Sequence, residues 1–372
     1  MFKGKTLFNG FALFSMFFGA GNAVFPLIMG IKTGENIGFG LIGLLLTGVL
    51  LPFIGLYSMT LYRGDGAAYF DRIGRGPALV TQAFLLALLG PFGAIPRCMM
   101  VAHSALTLLF PNLSILTFSL ISSLILFLLL IKQKRLLDIL GMVLTPVLFL
   151  SLGYLVIKGL LAPGASAPNA YEPTHAFTLG IKEGYQTMDL LAAFFFSTLI
   201  CVKMENEKSS PLAASAIGAI LLGLVYIAFG ALGAHHGAQL NGMSGESLFG
   251  ALGTYLLGSS GALIVSLIIG LACLTTALAL AHIASSFLKT HICRDKVSSN
   301  QSLIVILLIS SCVSTMKFSG ITTLLGPLLE LCYPALITLA FLNILYKKRG
   351  FAPVKTPIFI SFVCSSLFSL FV

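Results

Sequence analysis

The chain has 372 residues, 57% hydrophobic and only 9% charged, against roughly 25% charged residues in an ordinary soluble domain, which excludes a water-soluble globular protein. Its net charge of +10 is scattered between apolar blocks instead of gathered on one face, so it does not point to a nucleic acid partner. The seven cysteines lie mostly inside apolar stretches without CxxC or metal-ligand spacing and read as small hydrophobes.

The apolar residues fall in long continuous blocks, each near the roughly 20 residues that cross a hydrocarbon core about 30 Å thick. Strands of a barrel would alternate over about ten residues; these blocks are helices. Their punctuation predicts about eleven spans, near 6–31, 37–62, 77–110, 114–131, 136–161, 177–203, 211–234, 260–288, 299–315, 320–346 and 356–372. The first has a basic start at Lys3 and Lys5 but runs past Pro26 without a cleavage site, so it is expected to be retained. Short connections leave one membrane domain over 1–372. The longest polar connection, Ala162 to His175, carries Pro163, Pro168 and Pro173 and reads as an outer loop. With the N-terminus in the cytoplasm, seventeen of the 22 Lys and Arg fall on the inner side, while Lys32, Lys158, Lys182 and Lys317 fall outside and Arg97 lies within a span. That bias is the one expected for a multi-pass protein of an inner or plasma membrane.

In chain order, span 1 carries Gly19-Ala20-Gly21-Asn22 and Pro26 at mid-membrane depth. Gly costs about 1 and Pro about 3 kcal/mol relative to Ala inside a helix, and backbone freed in hydrocarbon is tolerated only where protein, water or ligand satisfies it. A binding site is one reason for such a break; close helix packing through small residues is the other. Span 3 carries Pro91-Phe92-Gly93-Ala94-Ile95-Pro96-Arg97, which bends a helix and offers apolar surface for a side-chain pocket. Arg97 reads first as a structural charge satisfying carbonyls or an acid, and second as a substrate contact.

Span 6 contains Thr187 and Asp189 inside an apolar run. A carboxylate at a helix centre costs roughly 2.5–3.5 kcal/mol on insertion scales, so it faces a cavity or a partner; Arg97 is the candidate partner. Spans 1 and 6 are the two irregular ones and open the two halves of a five-plus-five arrangement, in which paired broken helices form the central site of many secondary transporters. That division places the first repeat at 6–161, the second at 177–346 and an additional helix at 356–372.

Span 8 carries Ala272, Thr275 and Thr276, whose carbonyl and hydroxyl oxygens suit a small hard cation such as sodium, although Thr in a helix usually bonds its own preceding turn. Glu330 in span 10 is a candidate for proton coupling or for pairing with Arg97. His235 and His236 sit at an outer edge and read as solvated. The histidines lack HExxH spacing, and no GxSxG, P-loop or GxGxxG unit follows a strand, so neither an enzyme nor an ATP-driven pump is indicated.

Phe14 through Pro26, Gly90 to Arg97, Gly184 to Asp189 and Ala272 to Thr276, four motifs in order, resemble the branched-chain amino acid:cation symporter family of the BrnQ type. The resemblance runs from near the N-terminus to about Ser361; many members are longer and carry a twelfth span. It implies a LeuT-like five-plus-five inverted repeat, uptake of Leu, Ile and Val, and coupling to Na+. It further implies that the amides of Gly19, Ala20 and Gly21 hold the substrate carboxylate. The cation then meets the carbonyls of Ser15, Phe18 and Ala272 and the hydroxyls of Thr275 and Thr276. Asn22, Thr187 and Asp189 are expected to border the substrate, with Phe92, Ile95 and Phe194 around its aliphatic side chain. The alternatives are a proton-coupled or exchange carrier of other neutral amino acids and, from another class, an ion channel. The partners expected are the amino acid and the lipid bilayer; nothing in the sequence speaks to oligomeric state.

Overall fold

The computed structural model describes residues 4–131, 145–167, 171–207 and 210–371, and among them every regular element is a helix. Lys3, Lys132, Lys134, Arg135 and Lys208 of the charge count lie outside the described residues, as do Pro168 of the outer connection, the first part of the expected fifth span and Val372.

Span 1 is two helices, α1 (Gly4–Phe17) and α2 (Ala20–Thr33). Span 2 is α3 (Ile37–Leu45) and α4 (Leu51–Thr60), joined without interruption by a π turn over Leu46–Leu50. Pro52 explains the widening, because a proline inside a helix clashes with the carbonyl four residues earlier and supplies no N–H. A short α5 (Gly66–Phe70) precedes span 3, which is α6 (Arg75–Leu89) and α7 (Ala94–Thr107). Spans 4 and 5 are α8 (Ile115–Ile131) and α9 (Thr145–Leu161).

Span 6 is again broken, into α10 (Pro173–Gln186) and α11 (Asp189–Glu207). Span 7 is α12 (Pro211–His235), started by Ser210, whose Oγ accepts from the Ala213 amide at 3.3 Å. Two helices follow that the apolar pattern did not foretell, α13 (Gly237–Leu240) and α14 (Gly245–Leu257), the latter lying on α2, α7 and the next span. Spans 8 to 11 are α15 (Ser259–Phe287), α16 (Ser299–Val313), α17 (Phe318–Arg349) and α18 (Lys355–Phe371). α16 opens on a Ser298–Gln301 capping box; α17 ends on Lys347, Lys348 and Arg349 before Gly350, whose φ of +70° closes the helix as glycine readily does.

Packing relates the halves. α1 and α2 run along α12, while α10 and α11 run along α3 and α4, so each broken span lies on the second span of the other half. Span 3 likewise packs on span 8 and span 4 on span 9; span 5 touches spans 7 and 8 as span 10 touches spans 2 and 3. Advancing every span by five reproduces the same neighbours, which is the pattern of a five-plus-five repeat. Glycines permit the closest crossings: a Cβ on Gly43 would strike the Phe177 carbonyl, and one on Gly180 the Gly40 carbonyl, locking α3 to α10.

Three side chains stand otherwise than the sequence suggested. His236 is fully buried, with Nε2 2.8 Å from the Gly159 carbonyl, and His235 Nε2 lies 2.9 Å from the Ala162 carbonyl. They tie the end of α12 to the end of α9 instead of facing water, because the 162–167 segment folds back over them; Gly164 sits directly on the His235 ring. Glu330 does not reach Arg97; it pairs with Lys182 of α10 at 3.6 Å on a half-exposed face.

Candidate functional site

The two breaks meet at the centre of the bundle. In span 1 only Phe18 and Gly19 leave the helix, Gly19 with φ −119° and ψ −159°. Its lack of a side chain is a spatial requirement, since a Cβ there would lie 2.9 Å from Thr276 Oγ1 of α15. The first amides of α2 have no carbonyl four residues earlier to pair with. Asn22 caps part of this turn from within, its Oδ1 accepting from the Gly19 amide at 3.2 Å. In span 6, Thr187 and Met188 separate the helices, and Met188 holds φ +62°, a conformation that costs an ordinary side chain energy and persists where its surroundings over-determine it.

Asp189, the first residue of α11, is 2% exposed. Asn22 Nδ2 donates to both its carboxylate oxygens at 2.9 Å, and the Tyr226 hydroxyl of α12 donates to Oδ2. Asn22 Nδ2 also meets Tyr226 Oη, so α2, α11 and α12 share one polar knot. No cationic side chain forms an ion pair with Asp189 among the described residues.

Arg97 of α7 is equally buried and does not pair with Asp189. Nη1 donates to the Gln186 carbonyl and Nη2 to Gln186 Oε1, each at 2.9 Å, while Gln186 Nε2 reaches the Thr322 carbonyl of α17 at 3.4 Å. The guanidinium lies 5.3 Å from the Phe25 ring centre and 5.8 Å from that of Phe318, within the range of a cation–π contact. Its Nε has no partner.

Gly19, Ala20, Gly21, Asn22, Thr187, Asp189, Arg97 and Thr276 all border one small cavity of about 20 Å³, room for a single water. Its apolar wall comes from Phe17, Ala94, Met188, Ala192, Phe196 and Leu280 among others. Phe92, Ile95 and Phe194 are not part of that wall. Phe92 is 45% exposed on the turn between α6 and α7, and Ile95 is buried in the packing of α7, whose Ala94 and Arg97 face the cavity instead. Phe194 follows from helical phase: with Asp189 inward, positions three and seven residues later, Ala192 and Phe196, share its face. Phe194 points away, onto Tyr69 and Phe70.

Below Gly19 a second cluster gathers oxygens. Thr275 Oγ1 lies 2.8 Å from the Ser15 carbonyl and 2.9 Å from the Ala272 carbonyl, and Thr276 Oγ1 lies 3.5 Å from the Ser15 carbonyl. Four of the five expected cation ligands thus converge, all neutral oxygens, the donor type a small hard cation takes. Thr275 makes the bond to its own helix that any threonine makes, and a second one across to the end of α1. Phe18 supplies a ring, buried between Phe14 and Phe229, at the same break.

Tyr226 and the role of Gln186 escaped sequence reasoning. The only local signal was polarity inside apolar spans; the partners are distant in the chain.

Residues 3–371 match a family described as branched-chain amino acid transport protein. The branched-chain amino acid permease BrnQ of Bacillus subtilis is 31% identical, with 91% of this chain and 80% of that protein covered. The permease BraB of the same organism is 30% identical, with 92% and 81% covered. Among solved structures, MhsT in complex with L-phenylalanine superposes with a TM-score of 0.63 at 14% identity, over 96% of this chain and 98% of that one. Mhp1, closed on bromovinylhydantoin, gives 0.58 at 13% identity, over 98% and 91%. At such identities the likeness concerns the fold.

Proposed function

This chain belongs to the branched-chain amino acid transport family, and we propose that it is a secondary carrier importing Leu, Ile and Val with Na+ by alternating access. The observation that carries the reading is the junction of the two broken spans: the first turn of α2, with Asn22 and Asp189 of the polar knot, borders one small cavity, and the Ser15–Ala272–Thr275 oxygen cluster lies at the same break. The amides of Gly19, Ala20 and Gly21 sit where a helix N-terminus favours an anion, and Asn22, Thr187 and Asp189 border the same space. Ser15, Phe18, Ala272, Thr275 and Thr276 would hold the Na+, whose chemistry is to neutralise and order the end of α1. One charge moving down 100 mV releases about 2.3 kcal/mol, equivalent to roughly 40-fold accumulation.

A small apolar wall separates side chains differing by one methylene by only about 1–3 kcal/mol, so the three substrates overlap. The membrane is the cell membrane, with the N-terminus in the cytoplasm as the distribution of Lys and Arg favours. A proton-coupled carrier is the second reading, supported by Asp189, a buried acid without a cationic partner. Proteoliposomes separate them: labelled leucine accumulates under an inward Na+ gradient and is displaced by excess valine. Accumulation driven by a proton gradient alone, indifferent to Na+, would replace the first reading by the second.

A further inference from the structure

The cavity at the junction holds two buried charges of opposite sign that do not neutralise each other. Arg97 and Asp189 are each 2% exposed and both border the same space. Asp189 is held by neutral donors, Asn22 and Tyr226 among them, and Arg97 by neutral acceptors on Gln186 and by the ring faces of Phe25 and Phe318. Glu183, one turn before Gln186 on α10, lies 3.9 Å from Lys32 and makes no ion pair with Arg97 among the described residues. A buried charge without a counter-charge is costly, several kcal/mol in real proteins, and a structural arginine would be expected to close on the nearest carboxylate. Here the guanidinium keeps one buried donor, Nε, without an acceptor. Asp189 keeps acceptor capacity too, since a carboxylate offers about four lone-pair sites.

We propose that Arg97 is a substrate-binding residue that receives the α-carboxylate of the amino acid, while Asp189 receives its α-ammonium group. Building on the carrier reading, this narrows the ligand class to α-amino acids with both termini free and charged. Once the cavity widens from the room of a single water, the carboxylate lies between Arg97 and the first turn of α2, whose positive helix end adds to the same field. The ammonium group supplies the cationic donor that Asp189 lacks. Specificity for the zwitterion then rests on two fixed side-chain charges, and the main-chain amides assist.

The test uses the full chain in proteoliposomes. It compares labelled-leucine uptake with inhibition by leucinamide, which lacks the carboxylate, and by 4-methylpentanoate, which lacks the ammonium group. In the unaltered protein both analogues inhibit at least about tenfold more weakly than leucine, since hydrogen bonds to charged groups contribute about 1.5–3 kcal/mol. In Arg97→Met the leucine KM rises about tenfold or more and the preference for leucine over leucinamide collapses toward unity, while Arg97→Lys retains part of it. A merely structural arginine would lower the transport rate without changing that preference. Gln186→Glu gives a variant that keeps size and shape: its carboxylate occupies Arg97 from within and raises the leucine KM, leaving leucinamide inhibition unchanged. If leucinamide competes as well as leucine in the unaltered protein, or if either Arg97→Met or Gln186→Glu keeps the original KM and preference, Arg97 does not hold the substrate. Those results would leave the carrier reading standing; only the absence of saturable leucine uptake by the unaltered protein removes it.

Discussion

At the scale of single residues, the knot around Asp189 is held by neutral donors from different helices, and removing one isolates its effect. Tyr226→Phe takes away the hydroxyl that donates to Asp189 Oδ2 and leaves the ring in place; a hydrogen bond to a charged group contributes about 1.5–3 kcal/mol. Leucine transport should therefore fall about tenfold or more at an unchanged membrane level, measured by initial uptake rate against protein quantified by blot. Thr276 stands differently, since its hydroxyl is only 3.5 Å from the Ser15 carbonyl and its companion Thr275 makes the shorter bonds. Thr276→Ala should raise the Na+ concentration for half-maximal uptake by about fivefold or more, the loss of one oxygen ligand costing about 1 kcal/mol, with a smaller change in leucine KM at saturating Na+. Equal Na+ dependence in the two proteins would remove Thr276 from the ion site.

Helices show which of these features the sequence could carry. The breaks in spans 1 and 6 were legible because Gly19, Gly21, Pro26 and Asp189 each cost energy inside a membrane helix, so their presence demanded a reason. The Asn22–Tyr226 contact was not legible: 204 residues separate the partners, and nothing near Tyr226 announces it. The same holds for Arg97 and Gln186, 89 residues apart. Of the expected apolar wall of Phe92, Ile95 and Phe194, none lines the cavity; Phe194 turns away through helical phase, which is set only once the start of α11 at Asp189 is known. The α3–α10 crossing offers a test at this scale. Gly180→Leu would push its side chain into the Gly40 carbonyl, and overpacking of a tight interface costs about 1–3 kcal/mol. Its detergent-solubilised form should melt several degrees lower. Gly153→Leu, on a position with open space around it, should melt as the original does.

For the whole molecule, the charge bias assigns α13 and α14 to the outer side and the Arg294–Ser298 turn to the cytoplasm. Ser244→Cys and Lys296→Cys, both at exposed positions, test it in a background without Cys293, Cys312, Cys332 and Cys364, the cysteines that are not buried. A membrane-impermeant maleimide should label the first on intact cells and the second only after permeabilisation; the reverse pattern inverts the protein. The fold also brings the two proposed ligands onto one piece of chain. The Ser15 carbonyl that Thr275 meets and the Gly19 amide that opens α2 are four residues apart, so whatever seats on either fixes the same short run of main chain. Equilibrium thermodynamics then allows no one-way influence: the factor by which sodium tightens leucine binding must be the factor by which leucine tightens sodium binding, and a titration of either partner measures both.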